Sequence, residues 1–460
     1  MISQSALELL RQAVGKENVF TSQEDLFCYS YDATADVVQV IPDVVISPRN
    51  TDEVVAAVKV ANSFKIPILT RGSGTNLSGG TVPVEGGMVL SCLKMNKILE
   101  IDVENLIARV QPGVIIQRLG DAAEPHGLLY PPDPGTVATA TMGGSVAECS
   151  GGLRGLKYGV TKDYVMGLEI VLADGEVLRI GGKTVKNVTG YDLVKLFTGS
   201  EGTLGIITEI IVKLIPAPES RKSMLVAFGD ITSAANTITG IIASKVIPAT
   251  LEIMDRVTIE TMENYVNAGL PDAEAILLIE VDGSPAQVAV EMERVVSVCR
   301  KYDGKIEIAK DDEHRDKIWA ARRAALPSLA QVSPTTVLED ATVPRSEVPK
   351  MIMALQDIAR KYDLKIGTFG HAGDGNLHPT ILTDERNREE MERVHRAVEE
   401  IFETAVKLGG TLSGEHGIGI TKHKFLPKEL GDKGAEVLRR IKEALDPDYL
   451  FNPGKIIARD

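Results

Sequence analysis

A chain of 460 residues exceeds what one hydrophobic core holds, since single cores stop growing at roughly 250–300 residues, and at least two domains are expected. With 44% hydrophobic and 25% charged residues it has the make-up of an ordinary globular protein, and its net charge of −14 argues against a general affinity for nucleic acid or anionic lipid. Cys28, Cys92, Cys149 and Cys299 lie far apart with no CxxC pair, which argues against a zinc ribbon or an iron–sulfur cluster and reads as buried thiols.

The first twenty residues carry Glu8, Arg11 and Lys16 within their apolar pattern, so they read as an amphipathic helix and not as a leader peptide. No later stretch reaches the ~18 consecutive apolar residues of a spanning helix, which makes the cytoplasm the default location. Residues 51–64, TDEVVAAVKVANSF, have a threonine at the helix start, acids in the first turn and helical apolar spacing, and lead into the buried strand pattern IPILT. Strand patterns follow at 87–92 and 107–112, and LEIVLADGEVLRI (168–180) is a hairpin turning at Asp174-Gly175. After Pro216 and Pro218, long helical patterns alternate with short strands. Thus ILLIEVDG (276–283) runs into a helix N-capped by Ser284, with Pro285 in its first turn and Gly304 as its stop. The expected organisation is α+β: a first domain over 1–218, a second with an antiparallel sheet over 219–420, and a helical segment over 421–460 packing back on the first.

Three glycine-rich segments stand out. PILTRGSGTNLSGG (67–80) follows a buried strand, with Arg71 at the junction; it is either a simple turn or a cradle of backbone N–H groups for a diphosphate. It lacks the GxGxxG-then-helix arrangement of an ordinary Rossmann site. The segment 131–159 is dense in glycine and proline without being highly charged, the character of an ordered functional loop. In 186–209, Gly199, Gly202 and Gly205 surround a turn into the strand pattern GIITE, where positive φ or close approach of a ligand is possible.

Two of the seven histidines flank AGDGNL in GHAGDGNLHP (370–379), a stretch able to reverse the chain and bring His371 and His378 onto one site. SGEHGIG (413–419) adds Glu415 and His416 in another glycine-rich turn. Two histidines and a carboxylate are a normal set for a divalent metal with open positions, while histidines beside glycines also serve simply as backbone hydrogen-bond partners. His126, His314, His395 and His423 sit in surface-like or charged surroundings and are read as solvated. Arg322 and Arg323 stand close to the single tryptophan, Trp319, in IWAARRAALPSL (318–329), a pattern that by itself reads as a helix carrying two solvated arginines rather than a carboxylate clamp.

The three glycine-rich segments resemble, in order and spacing, the FAD-binding domain of vanillyl-alcohol oxidase and p-cresol methylhydroxylase relatives. From about residue 40 to 456 the chain resembles more closely the FAD-binding subunit of glycolate oxidase and the D-lactate and D-2-hydroxyglutarate dehydrogenases, with GHxGDGNxH and the later EHG matching residue by residue. The resemblance implies an FAD held by Arg71, Gly72, Ser73, Gly74, Thr75, Asn76 and Gly79 at the diphosphate. Pro132, Asp133, Thr136, Gly143, Gly144, Ser145, Gly151, Gly152 and Gly155 would line the flavin and ribityl chain, and Gly202, Gly205, Ile206 and Asn452 would complete the site. Thr75 and Asn76 stand where many relatives carry a flavin-linking histidine, so the FAD is expected to be non-covalent, and bulky residues at Gly74 or Gly144 are expected to empty the site.

The same resemblance implies a divalent metal (Zn, Fe or Mn) on His371, His378 and Glu415, with His416 as base and Arg322 as clamp for the substrate carboxylate. A 2-hydroxy acid would chelate the metal, lose its hydroxyl proton to His416 and pass a hydride from Cα to flavin N5. The resemblance also implies that relatives accepting a second carboxylate carry further polar or basic residues after this arginine; here Ala324, Ala325, Leu326 and Leu329 are apolar, which favours a small monocarboxylate such as D-lactate or glycolate. Electrons would leave to a protein partner, an electron-transferring flavoprotein or an iron–sulfur subunit, through which the chain could be peripheral to a membrane. An alkyl-dihydroxyacetone-phosphate synthase-like transferase, a flavin-free metal hydrolase and a non-catalytic flavoprotein docking subunit are the competing readings, the last disfavoured by His416 beside a ligand set.

Overall fold

The computed structural model of the protein describes residues 2–457, and no helix among them is long and apolar enough to cross a membrane. They form two compact units. One holds the residues up to Ser150, Val160–Ala217 and those from Glu415 on; the other holds Gly151–Gly159 and Pro218–Gly414. Both mix helices with sheets, as the α+β expectation has it. Of the cysteines, Cys92 and Cys299 are buried, whereas Cys149 is half-buried and Cys28 is exposed, contrary to the expectation of four buried thiols.

In the first unit a four-stranded sheet runs Val19–Phe20, Val44–Ile46, Met88–Ser91, Ile68–Arg71. The last three strands are parallel and nearly all their side chains are buried, which is why they read as continuous apolar runs. The crossover helix Thr51–Phe64 starts where the Asn50 side chain accepts the Glu53 N–H at 3.0 Å. It buries Val54, Ala57, Val58 and Ala61, one helical stripe, in the same core as the strands. A second, antiparallel sheet runs Ile98–Asp102, Ile107–Val110, Ile206–Lys213, Val165–Val171, Val177–Gly181. Its last two strands form the hairpin through Asp174-Gly175, where Gly175 has φ +81°.

The chain's end is stitched into this unit. Beyond the helix Leu426–Leu445, Phe451 bridges Ile68 in parallel register. The buried Lys442 ammonium donates to the carbonyls of Thr203 and Phe451, at 2.7 and 2.8 Å, and pairs with the buried Asp446. Lys442→Met leaves that carboxylate without its counter-charge, and breaking a buried pair in this way costs about 3–5 kcal/mol. Melting followed by far-ultraviolet circular dichroism is expected to shift down by several degrees; an unchanged melt would show the lysine to be dispensable.

The second unit is built on one antiparallel sheet ordered Lys305–Ile308, Ser220–Phe228, Ala275–Gly283, Thr250–Asp255, Lys365–His371, Asn376–Thr383, Thr335–Leu338, with Ala341–Thr342 pairing at Asn376–Thr383. Alternate residues of the strand Ala275–Gly283 go to different cores. Ala275, Leu277, Ile279 and Val281 pack under the helices Ile231–Ala243, Pro285–Lys301, Val348–Tyr362 and Arg388–Lys407. Ile276 and Leu278 pack with the helices Arg256–Val266, Asp312–Arg323 and Ala325–Leu329 on the other face. A sheet covered on both faces favours apolar residues at successive positions, which explains the run ILLI; the buried Glu280 that follows accepts from the Ser223 hydroxyl and the Trp319 indole N–H.

Asp255 caps the helix Arg256–Val266, accepting from the backbone N–H groups of Thr258 at 2.9 Å and Thr368 at 2.8 Å. Burial pushes its carboxyl up to about 6 despite these bonds. The folded protein therefore keeps a proton that the unfolded chain releases near ~4. Asp255's contribution is fully present below about pH 4 and is lost as pH rises through about 6, a change of about 3 kcal/mol at 1.36 kcal/mol per unit. Unfolding followed at Trp319, the single tryptophan, is expected to show wild type losing that advantage over Asp255→Asn between pH 4 and 7. A pH-independent difference would contradict it.

Candidate active site

The first glycine-rich loop leaves the strand Ile68–Arg71 with Gly74 and Gly79 both at φ +72°, a conformation costly for any other residue. Arg71 turns inward. Its buried guanidinium donates to the carbonyls of Tyr31 at 2.6 Å and Thr81 at 3.3 Å, bracing the loop from beneath. Asn76 likewise donates to Asp32 at 2.7 Å and accepts from the Thr81 hydroxyl at 2.8 Å. Ser73 and Thr75 remain half-buried on the loop. A Cβ on Gly72 would lie 2.2 Å from Oγ1 of Thr141, the residue that caps the helix Met142–Glu148 by accepting the Gly144 N–H at 3.2 Å. The second glycine-rich segment thus begins its helix directly against the first. Of its other members, Pro132 and Asp133 are buried and Thr136 is exposed. Ser145 points inward to the hydroxyls of Ser150 and Thr161.

In the third segment Gly202 has φ +66°, and a Cβ on Gly205, just before Ile206, would lie 2.6 Å from the Ile170 side chain. Asn452, itself buried, ties the loops together by donating to the carbonyls of Gly80 at 3.0 Å and Glu201 at 2.7 Å. Arg71 and Asn452 are therefore engaged by the protein itself. Gly151, Gly152 and Gly155 fall in the second unit, where Lys157 pairs with Asp282 at 2.5 Å and a Cβ on Gly155 would lie 2.6 Å from the Asp374 carboxylate.

Glu415 and His416 open the C-terminal stretch of the first unit. The turn that follows them is clamped to two of the glycine-rich segments. The N–H groups of Ile418 and Gly419 donate to Glu201 at 2.6 and 2.7 Å, and the N–H of Ile420 donates to the Ser78 carbonyl at 2.9 Å. Gly417, at φ +79°, sits where a Cβ would meet the carboxylates of Glu148 and Glu201 at 2.2 and 3.0 Å. Burial raises both carboxyls above the ordinary range, Glu148 further under the charges of Glu201 and Asp32, while the donated N–H groups partly offset the rise at Glu201. Burial also draws Lys455 down to about 8.

In the second unit the hairpin between Lys365–His371 and Asn376–Thr383 brings the two histidines together. The turn closes through the N–H groups of Asp374 and Gly375, which donate to the His371 carbonyl at 3.2 and 3.1 Å. Gly375 has φ +94°, and a Cβ there would lie 2.0 Å from the Val343 carbonyl, so glycine is required. Both imidazoles are buried, with ring centroids 5.1 Å apart and planes at 88°. A nitrogen of His378 also lies within 4.8 Å of a carboxylate oxygen of the fully buried Asp340, which accepts from the Ser413 hydroxyl and the Gly414 N–H at 2.8 Å each.

Ile253 pairs with Gly370, which makes Glu252 and His371 cross-strand neighbours. Glu252 is completely buried; its Oε1 meets His371 Nδ1 at 2.7 Å and its Oε2 meets Nε and Nη2 of Arg322 at 2.7 Å. Burial alone would raise this carboxyl, but His371 and Arg322 outweigh it and hold it below the usual range, so Glu252 is a carboxylate accepting the His371 Nδ1–H. That leaves the lone pair of His371 on Nε2. The Arg322 guanidinium stacks over Phe369 at 4.7 Å, and the Phe369 ring lies 5.5 Å from that of His378. Neighbouring buried imidazoles with a carboxylate at hand fit a divalent cation. The bare glycine backbone of the first unit fits a dinucleotide cofactor.

Sequence reasoning missed Glu252, Asp340, Glu148 and Glu201. The one signal for Glu252 is a lone acid in the otherwise apolar LEIM, a residue that a buried strand retains only when it is paired.

The chain matches the family described as FAD binding domain over residues 42–181 and FAD linked oxidases, C-terminal domain, over residues 217–456. It is 53% identical to glycolate oxidase subunit GlcD of Bacillus subtilis (strain 168), across 100% of this chain and 98% of that relative. It is 36% identical to a D-lactate dehydrogenase of Anaerostipes hadrus, across 93% of this chain and 92% of the relative. Its fold matches p-cresol methylhydroxylase with substrate bound at a TM-score of 0.82, with 22% identity, covering 100% of this chain and 99% of that one. The chain belongs to the FAD-linked oxidases and is an FAD-linked oxidoreductase.

Proposed function

We propose that the protein oxidises a small D-2-hydroxy acid, D-lactate or glycolate, to the 2-oxo acid, using non-covalent FAD and a divalent metal held by His371, His378 and Glu415. The observation that carries this reading is the second unit's buried cluster, in which two neighbouring imidazoles stand beside an arginine on one sheet face. When bound, FAD takes up the two electrons and the cation favours the ionised hydroxyl. His371 offers Nε2 because its Nδ1–H is committed to Glu252. Arg322 spends Nε and Nη2 on Glu252, and its Nη1 makes no bond to a described residue; it is positioned to grip a substrate carboxylate. His416 takes the hydroxyl proton from its place before the turn clamped to the glycine-rich segments. Ala325 and Leu329, fully buried in the core beside Arg322, add no polar group for a second carboxylate and favour a monocarboxylate.

The name of the Bacillus subtilis relative includes the word subunit, which supports an electron-accepting protein partner here too, either an electron-transferring flavoprotein or an iron–sulfur subunit. Metal analysis of the purified protein, with turnover of D-lactate and glycolate measured before and after chelation, tests the reading. About one metal per chain and activity lost on chelation and restored by Zn, Fe or Mn are expected. Full activity in metal-free protein would overturn the metal's role.

A further inference from the structure

We infer that Glu252 is a positioning residue whose single carboxylate sets both the metal-facing orientation of His371 and the aim of Arg322. The inference rests on the function proposed above and extends it to a residue outside the ligand set. Glu252 is 0% exposed and sits in an apolar strand, between Leu251 and Ile253 of one core and beside Met254 of the other. An acid in that place is costly unless its charge is met. It is met twice, by groups 119 and 70 residues away in sequence.

The two oxygens divide the task. Oε1 accepts the Nδ1–H of His371, which fixes the tautomer and ring angle and leaves Nε2 as the donor toward a cation. Oε2 holds Nε and Nη2 of Arg322 while the guanidinium carbon stands over the Phe369 ring at 4.7 Å, and only Nη1 is left without a bond to a described residue. A side chain as long and mobile as arginine is thereby reduced to one presentation, on the sheet face that also carries His378. Cation binding and carboxylate binding are thus coupled through one residue that touches neither.

The test uses Glu252→Gln and Glu252→Asp in the full-length flavoprotein. Zinc and manganese titrations of chelator-stripped protein are read by calorimetry, and anaerobic flavin reduction by D-lactate and by glycolate is followed at saturating metal. Glu252→Gln is expected to weaken metal binding by about 10–100-fold, the range for partners of metal-bound histidines. It is also expected to raise the substrate KM by at least about tenfold with a smaller change in kcat, the pattern of lost binding, and Glu252→Asp is expected to recover part of both. Wild-type affinity and KM in Glu252→Gln would overturn the inference while leaving the proposed function intact. A wild type that binds neither metal would overturn both. Should the variants not fold, 15N spectra of histidine-labelled wild-type protein, with His371 assigned by its substitution, decide the matter: a proton on Nδ1 agrees with the inference, and a proton on Nε2 contradicts it.

Discussion

Replacing His378 by alanine is expected to leave the flavin bound and its reduction by substrate slowed by at least about 10³-fold. The residue lies in the second unit on the strand Asn376–Thr383, and its ring is buried against Phe369 and His371. The loops that fit FAD lie mostly in the other unit, so the substitution removes a proposed metal ligand without touching most of them. A Lewis acid at the reacting oxygen supplies several kcal/mol of stabilisation, and each 1.36 kcal/mol is tenfold in rate. Trimming a buried imidazole to alanine also opens a cavity, so a His378→Gln variant of closer volume serves as the companion. Stopped-flow absorbance of the flavin band checks both, and near-wild-type reduction by either variant would remove His378 from the site.

The second large effect concerns the flavin itself. Gly143→Val is expected to lower flavin affinity by about 10- to 100-fold, because a Cβ at Gly143 would lie 2.6 Å from Pro112 Cβ and 3.0 Å from its carbonyl oxygen. The Gly143 N–H already donates to that carbonyl at 2.7 Å, so the helix start cannot move off without losing the bond. Overpacking of this kind costs about 1–3 kcal/mol, and 1.4 kcal/mol is tenfold in affinity. At Gly74 the cost is one of conformation, since φ +72° strains any side chain and a Cβ would meet the Arg71 guanidinium at 2.3 Å. Gly144 differs: its nearest neighbour would be the Thr141 hydroxyl at 3.1 Å, and Gly144→Ala is expected to keep its flavin. The structure adds Gly143, the crowded member of the GlyGly pair, to the Gly74 and Gly144 that the sequence names. Flavin content after gel filtration, and the Kd on reconstitution, distinguish the three.

What could be read in the sequence was local. The helix Thr51–Phe64 and its following strand were visible as a change of hydrophobic period, the hairpin over Asp174-Gly175 as a turn pair between alternating runs, and the helix Pro285–Lys301 through its Ser284 cap. The reversal between His371 and His378 was legible for the same reason, because glycines at fixed offsets have few alternatives to a tight turn. What escaped depends on pairing across long separations. Nothing around residue 252 announces that the strand register will set it opposite His371, and nothing around Arg322 announces that two of its nitrogens are already committed. The segment Gly151–Gly159 groups with the second unit because Lys157 and Tyr158 both bind Asp282 at 2.5 and 2.7 Å, an attachment invisible in spacing. Arg71 and Asn452 are expected as cofactor contacts by resemblance; what no spacing announces is that both also donate to backbone carbonyls and so hold the glycine-rich loops in shape.

The most direct test is an anaerobic titration of the purified flavoprotein, with the visible flavin band recorded as D-lactate, L-lactate and glycolate are added in turn, before and after metal removal. The account predicts bleaching by D-lactate or glycolate, little by L-lactate, and none once the metal is removed or in His416→Ala. A flavin that no 2-hydroxy acid bleaches in the metal-loaded protein would contradict the proposed reaction, leaving an FAD-linked oxidoreductase whose substrate lies in another class.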